Sequence, residues 1–151
     1  MRLALILLGF FIAFMVQSRL SAFIDELFSG HMAWMRGREF REKHPTKRWI
    51  AIAFPWFLGL WIIVLGLMLT PFLDRMLVNQ RAISVFAFSI LFFSGTDVPM
   101  ALFEMFTGIS IQIGGRAGAL YAVNPSPMKT GLSRLGLFGA FLICCMVLFR
   151  G

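Results

Sequence analysis

Two carboxylates stand inside one of the most apolar stretches of the chain. Phe92–Phe106 reads FFSGTDVPMALFEMF, with Asp97 and Glu104 seven residues apart. On a continuous helix that spacing puts both on one face. A charge at bilayer depth costs a few kcal/mol, so a carboxylate there needs a reason. It could carry protons, hold a cation, pair with a base or cap a helix end. Two conformations are open. Either the helix continues through GTDVP and places Asp97 at membrane depth, or it breaks at 95–99. In the broken form Asp97 caps a second half-helix starting near Met100. Glu104 then falls toward an interface, paired with Arg116 or with a partner subunit.

The other residues able to do chemistry are poorly placed for it. His31 and His44 lie in a charged loop, away from the apolar blocks where axial ligands of a membrane haem belong. Cys144 and Cys145 are adjacent, which rules out a CxxC motif. No Cys, His and Asp residues recur at metal-site spacing. IGGRAG, Ile113–Gly118, has the glycines of a phosphate loop but lacks the Lys-Ser/Thr pair and is not expected to follow a strand. Its backbone N–H groups and Arg116 could bind a lipid phosphate; the plainer reading is glycine used for a turn or a tight helix contact. Neither GxSxG nor HExxH occurs. Ser84, Ser89 and Ser94 are five apart and so do not share a helical face. The expectation is a protein that is not an enzyme and carries no cofactor or metal.

The composition says what kind of element must hold these residues. The chain has 151 residues, enough for one domain. Hydrophobic residues make up 59% and charged residues 14%, where about 25% charged is usual. Mean hydropathy is +0.83. A soluble domain of this size has too few polar groups to cover that apolar content, so lipid is the expected solvent. The net charge of +7 comes from basic residues beside apolar blocks. That pattern points to topology and anionic headgroups, not to nucleic acid.

Four apolar blocks suit spans at about 20 residues each: 3–24, 49–72, 82–103 (continuous or broken at 95–99) and 135–149. The N-terminal MRLALILLGFFIAFMV resembles a signal peptide, but no small-x-small site follows, so it is read as a retained span. Past Val16, the residues Leu20, Phe23, Ile24, Leu27 and Phe28 make one apolar stripe, with Arg19, Asp25 and Glu26 elsewhere on the wheel. The first helix is therefore expected to leave the hydrocarbon as an amphipathic cytoplasmic arm ending near Ser29-Gly30. Pro55 should kink the second block or mark its first turn, and Pro71 closes it. Trp49, Trp56 and Trp61 suit an aromatic belt. Gly59 with Gly66, and Gly136 with Ala140, form small-residue faces for helix packing.

Loop 25–48 is basic: Arg36, Arg38, Arg41, Lys43, Lys47 and Arg48, with Arg116, are candidates for lipid-headgroup or partner contacts. Loop 107–134 is rich in Gly and Pro, and Asn124-Pro125-Ser126-Pro127 reads as turns. With both loops on one side, that side holds ten basic residues against four on the other. The positive-inside rule then makes these loops cytoplasmic and puts both termini outside; a re-entrant third block would bring the C-terminus inside.

The fold expected is all-α: a polytopic integral membrane protein with three to four transmembrane helices, most simply in a bacterial inner membrane. The function expected is that of a small non-catalytic subunit in a larger assembly for secretion, conjugation, respiration or envelope transport. Its partners would be anionic lipids and other membrane subunits, in a hetero- or homo-oligomer. The competing reading is an oligomeric channel or an ion- or proton-conducting subunit that uses Asp97 and Glu104.

Overall fold

A computed structural model describes residues 2–79, 81–114 and 118–150. Six α-helices and a small sheet follow one another. Helix α1 covers Arg2–Ser29, strand β1 Met35–Arg36, α2 Gly37–Lys43, α3 Arg48–Met68, α4 Thr70–Asn79 and α5 Ala82–Thr107. Strand β2 covers Ile109–Gly114, β3 Gly118–Val123 and α6 Pro127–Leu148. The all-α class fits, and four helices (α1, α3, α5 and α6) are long and apolar enough to cross a membrane.

Helix α5 is the axis of the bundle. In its most apolar window 67% of the residues are buried, against 11%, 17% and 17% in the other three. Helices α1, α3, α4 and α6 all pack on it. Where helices cross closely, a glycine sits at the crossing. A Cβ on Gly131 of α6 would lie 2.3 Å from Met105 Cγ and 3.0 Å from the Ala101 carbonyl oxygen. A Cβ on Gly95 would meet the Leu65 methyls at 2.8 and 2.9 Å, and one on Gly9 would meet Val85 Cγ1 at 2.8 Å. The small faces expected to pack are elsewhere. Cβ atoms on Gly59, Gly66 and Gly136 would find nothing within 4 Å, and Ala140 is exposed. Within this chain those faces pack no helix, because α3 and α6 turn their other sides toward α5.

The break at 95–99 does not occur, and α5 is continuous through Pro99. Proline lacks the N–H that would bond the carbonyl four residues back, here that of Gly95. The Trp61 indole N–H of α3 donates to that carbonyl at 2.8 Å. The ring expected in an interfacial belt thus supplies the hydrogen bond that Pro99 withholds. Pro55 is likewise inside a continuous α3. The second apolar block ends at Met68, and Thr70-Pro71 opens the separate helix α4, with proline in the first turn where its missing N–H costs nothing. Arg75 of α4 donates to the Phe149 carbonyl past the end of α6 and so ties α4 to α6.

The Gly/Pro-rich loop contains a hairpin. Ile109, Ile111 and Ile113 alternate with polar or small residues, the period of a half-buried strand. Strands β2 and β3 pair antiparallel from Ile109↔Val123 to Gly114↔Gly118, and β1 adds to the far side of β3 through Met35↔Tyr121. The order is β1-β3-β2. Of IGGRAG, Ile113 and Gly114 end β2 and Gly118 opens β3, so strand flanks it where none was expected; 115–117, Arg116 among them, lie outside the described residues. Gly108, at φ 72°, ends α5 in the left-handed conformation and starts the hairpin. Beneath the sheet, Tyr121 stacks on Phe40 of α2 at 5.2 Å, and Ile50, Phe54, Met100, Ile109 and Ile111 complete a second core. The fourth apolar helix begins at Pro127, eight residues earlier than block 135–149 implied.

Candidate functional site

Helix α1 is inside out relative to a soluble amphipathic helix. Its apolar stripe is expected to lie on a membrane surface or a partner, and within this chain it faces mostly outward: Phe23 and Leu27 are 59% and 61% exposed, with Leu20 and Ile24 half-buried. The buried positions are Ala13, Gln17 and Asp25, four and eight apart, so the polar residues face the bundle. Two polar clusters result, one at each of the two carboxylates of α5.

The larger cluster centres on Arg134 of α6. Its Nη2 donates to both oxygens of Asp25, each at 2.6 Å, while Nη1 lies 3.3 Å from Glu104 Oε2. The last is an ion contact without hydrogen-bond alignment, since neither atom has a directed partner among the described residues. Glu104 Oε1 accepts from Ser110 of β2 and from Asn124 after β3. Asn124 Nδ2 also lies 2.9 Å from Ser110 Oγ and 2.8 Å from Thr130 Oγ1. Its Oδ1 accepts from Ser29 at the end of α1 and from the Ser126 N–H, closing the Asn-Pro-Ser turn. One guanidinium and one amide thereby tie α1, α5, α6 and the hairpin together. Glu104 is fully buried, and the base beside it among the described residues is Arg134; the expected pairing with Arg116 falls outside the described residues. A buried carboxylate without a cation would neutralise or unfold its surroundings, which is why the base is there.

The smaller cluster lies nearer the middle of α5. Gln17 Nε2 donates to Asp97 Oδ2 at 2.6 Å. No half-helix starts at Asp97, so it caps nothing. Asp97 and Gln17, with Ser18, Ser21, Thr96 and Gln112, form the polar part of a groove of about 230 Å³ bounded by α1, α3, α5 and β2. Phe14, Phe92 and Phe93 form its aromatic wall. Gln17 Oε1 is buried and has no hydrogen-bond partner among the described residues.

The basic loop residues divide. Arg36, Arg38, Arg41, Lys43 and Arg48 are exposed. Arg38 and Lys43 make i,i+4 ion pairs with Glu42 and Glu39, contacts of little energetic weight at a surface. Lys47 is occupied, because its Nζ donates to the Thr107 carbonyl at 3.0 Å, where the negative end of α5 favours a cation. Among the described residues no group of three His, Cys, Asp or Glu stands together as a metal site.

Asp25, Gln17, Arg134, Asn124 and Ser110 are not singled out by sequence reasoning, though signals exist. Gln17, Ser21 and Asp25 recur every fourth residue of an otherwise apolar helix, and Arg134 stands alone in GLSRLGLFG. Ser126 and Lys129 have Ser-x-x-Lys spacing, but Lys129 is exposed and no hydrogen bond joins them. A comparison of the chain with protein-family models, with curated proteins and with solved structures finds no match.

Proposed function

We propose that the chain is an integral membrane protein in which α1, α3, α5 and α6 each cross the bilayer, and that it serves as a small non-catalytic subunit of a larger membrane assembly. The observation that carries the reading is the inversion of polarity. Gln17, Asp25, Asp97, Glu104 and Arg134 are turned inward, while Phe23, Leu27, Trp56, Leu60, Ile63 and Leu67 are exposed. In water that arrangement is unstable; in hydrocarbon it is the low-energy one. The sheet end, with its excess of Lys and Arg, is then cytoplasmic, in a bacterial inner membrane or a comparable plasma membrane.

The subunit role rests on how the ionisable groups are used. Asp25 and Glu104 converge on Arg134, and Ser110 and Asn124 occupy Glu104 further. Groups so engaged hold helices together and do not turn over substrate. Gly59, Gly66 and Gly136 remain open on the outside, where a neighbouring helix can approach. Secretion, conjugation, respiratory and envelope-transport machines all use small subunits of this kind. Affinity purification of the native chain in mild detergent, with mass spectrometry of what co-purifies, should recover a defined set of other membrane proteins. Recovery of this chain alone would overturn the subunit reading.

A second reading, ion or proton conduction, is favoured by one observation: Asp97 lines a groove. Flux into liposomes carrying the wild-type chain, Asp97→Asn or Glu104→Gln decides it. The subunit reading expects no flux above empty liposomes in any of the three.

A further inference from the structure

We propose that the groove between α1 and α3 is a binding site for a single-chain amphiphile with a protonated amine head, the ammonium seated between Asp97 and Gln17 and the hydrocarbon lying against Phe14, Phe92 and Phe93. The size comes first. Both α1 and α3 pack on α5 and leave about 230 Å³ between them, floored by Asp97 and closed at one end by Gln112 of β2. An apolar cavity of about 150 Å³ holds a benzene ring. The groove therefore takes one narrow ligand and is far too small for a helix about 10 Å across.

The polarity is specific. Gln17 is 5% exposed and Asp97 7%. Gln17 spends its amide N–H on Asp97, which fixes its orientation and turns its carbonyl Oε1 away unpaired. The opposite orientation would set two acceptors against each other. A buried acceptor with no donor costs on the order of 1–3 kcal/mol unless something supplies one. What the groove offers is thus one unpaired amide acceptor beside one carboxylate, with the neutral Ser18, Ser21, Thr96 and Gln112 and aromatic faces around them. That is the recognition chemistry of a hydrogen-bond donor with positive charge. It rejects an anion: a phosphate or carboxylate head would face Asp97 with no described cation in the groove. The site rests on membrane insertion but not on the subunit role, since a chain purified without partners would still bind.

Thermal unfolding of the full chain in nanodiscs, titrated with decylamine, decanol or decanoate at neutral pH, tests the site. Decylamine should stabilise the protein most, decanol less and decanoate least. Asp97→Asn should weaken decylamine binding by about tenfold and leave decanol nearly unchanged. Gln17→Leu should weaken both. Ile62→Trp narrows the groove without touching either polar residue and should abolish binding; it keeps the test decisive where Asp97→Asn fails to fold. Leu132→Ala, on the exposed surface of α6, should change nothing. Equal stabilisation by all three ligands, or an amine effect that survives Ile62→Trp, would show bulk partitioning and overturn the site. So would competition by a lysine-bearing partner helix in place of the amine.

Discussion

Arg134 of α6 joins carboxylates of both α1 and α5, and the sequence hid it at the edge of an apolar block. Replacing it with Met keeps the volume but strands Asp25 and Glu104 as buried, uncompensated carboxylates. The expected cost is about 3–5 kcal/mol, seen as a lower denaturation midpoint in detergent. Arg134→Lys should recover only part, because an ammonium cannot reach both carboxylates as a planar fork does. Trp61 makes a subtler case. Trp61→Phe keeps the ring but orphans the Gly95 carbonyl, at an expected 1–3 kcal/mol, roughly the cost of an unsatisfied buried acceptor. In a Pro99→Ala background the helix supplies its own N–H, and the same Trp61→Phe change should cost measurably less. Asp97 and Glu104 were legible as residues needing a reason. Their partners were not, because Gln17 lies 80 residues from Asp97 and Arg134 lies 30 from Glu104, while Arg134's other carboxylate, Asp25, is 109 residues from it, and no local pattern links these pairs.

The helices were legible as elements, and their faces were not. Apolar blocks located α1, α3 and α5 to within about five residues, but α6 starts eight residues before its block, since a long apolar helix leaves little freedom in the middle and more at its polar ends. The stripe Leu20, Phe23, Ile24, Leu27 and Phe28 was correctly helical, but its direction depends on the solvent. Water drives such a stripe inward, and lipid drives the opposite face inward. Glycines posed the same difficulty: a small residue marks a close contact only if its face is turned to a neighbour. Gly131→Ala should therefore cost about 1–3 kcal/mol by forcing Met105 and the α5 backbone away. Gly59→Ala and Gly136→Ala should be neutral or mildly stabilising in the isolated chain, because alanine is the better helix former and nothing is displaced. Thermal melts of the three variants check this. Loss of co-purifying partners in Gly59→Ala at unchanged stability would locate a partner on that face. The hairpin was missed because glycines and prolines dominate its loop, although ISIQI alternates with the period of a strand.

At the level of the whole molecule, the sheet decides how the chain is threaded. Pairing of β1 with β3 brings residues 35–36 against 120–121, so both basic loops lie at one end of the bundle. Helix α4 joins α3 to α5 at the other end. Under the proposed insertion, Lys43→Cys and Val123→Cys should react with an impermeant thiol reagent from one face of the membrane, and Val78→Cys from the opposite face. Cys144→Ser and Cys145→Ser serve as the silent background. Labelling of all three from the same face would overturn the four-span topology. The polypeptide's length and basic bias suggested this arrangement, but only the strand pairing ties the two loops to each other.

The ion pair of Asp25 with Arg134 also has a history in time. The two residues are 109 positions apart, and synthesis adds about 5–20 residues per second. Asp25 thus emerges on the order of 5–20 s before the only described base that reaches it. Under the proposed insertion, α1 must for that interval remain where water, a chaperone or the insertion machinery can solvate the carboxylate, and its final seating waits for α6. The later helix α6 completes the earlier α1. A nascent chain halted before residue 134 should accordingly hold α1 loosely, extractable by alkali, and a chain released after it should not.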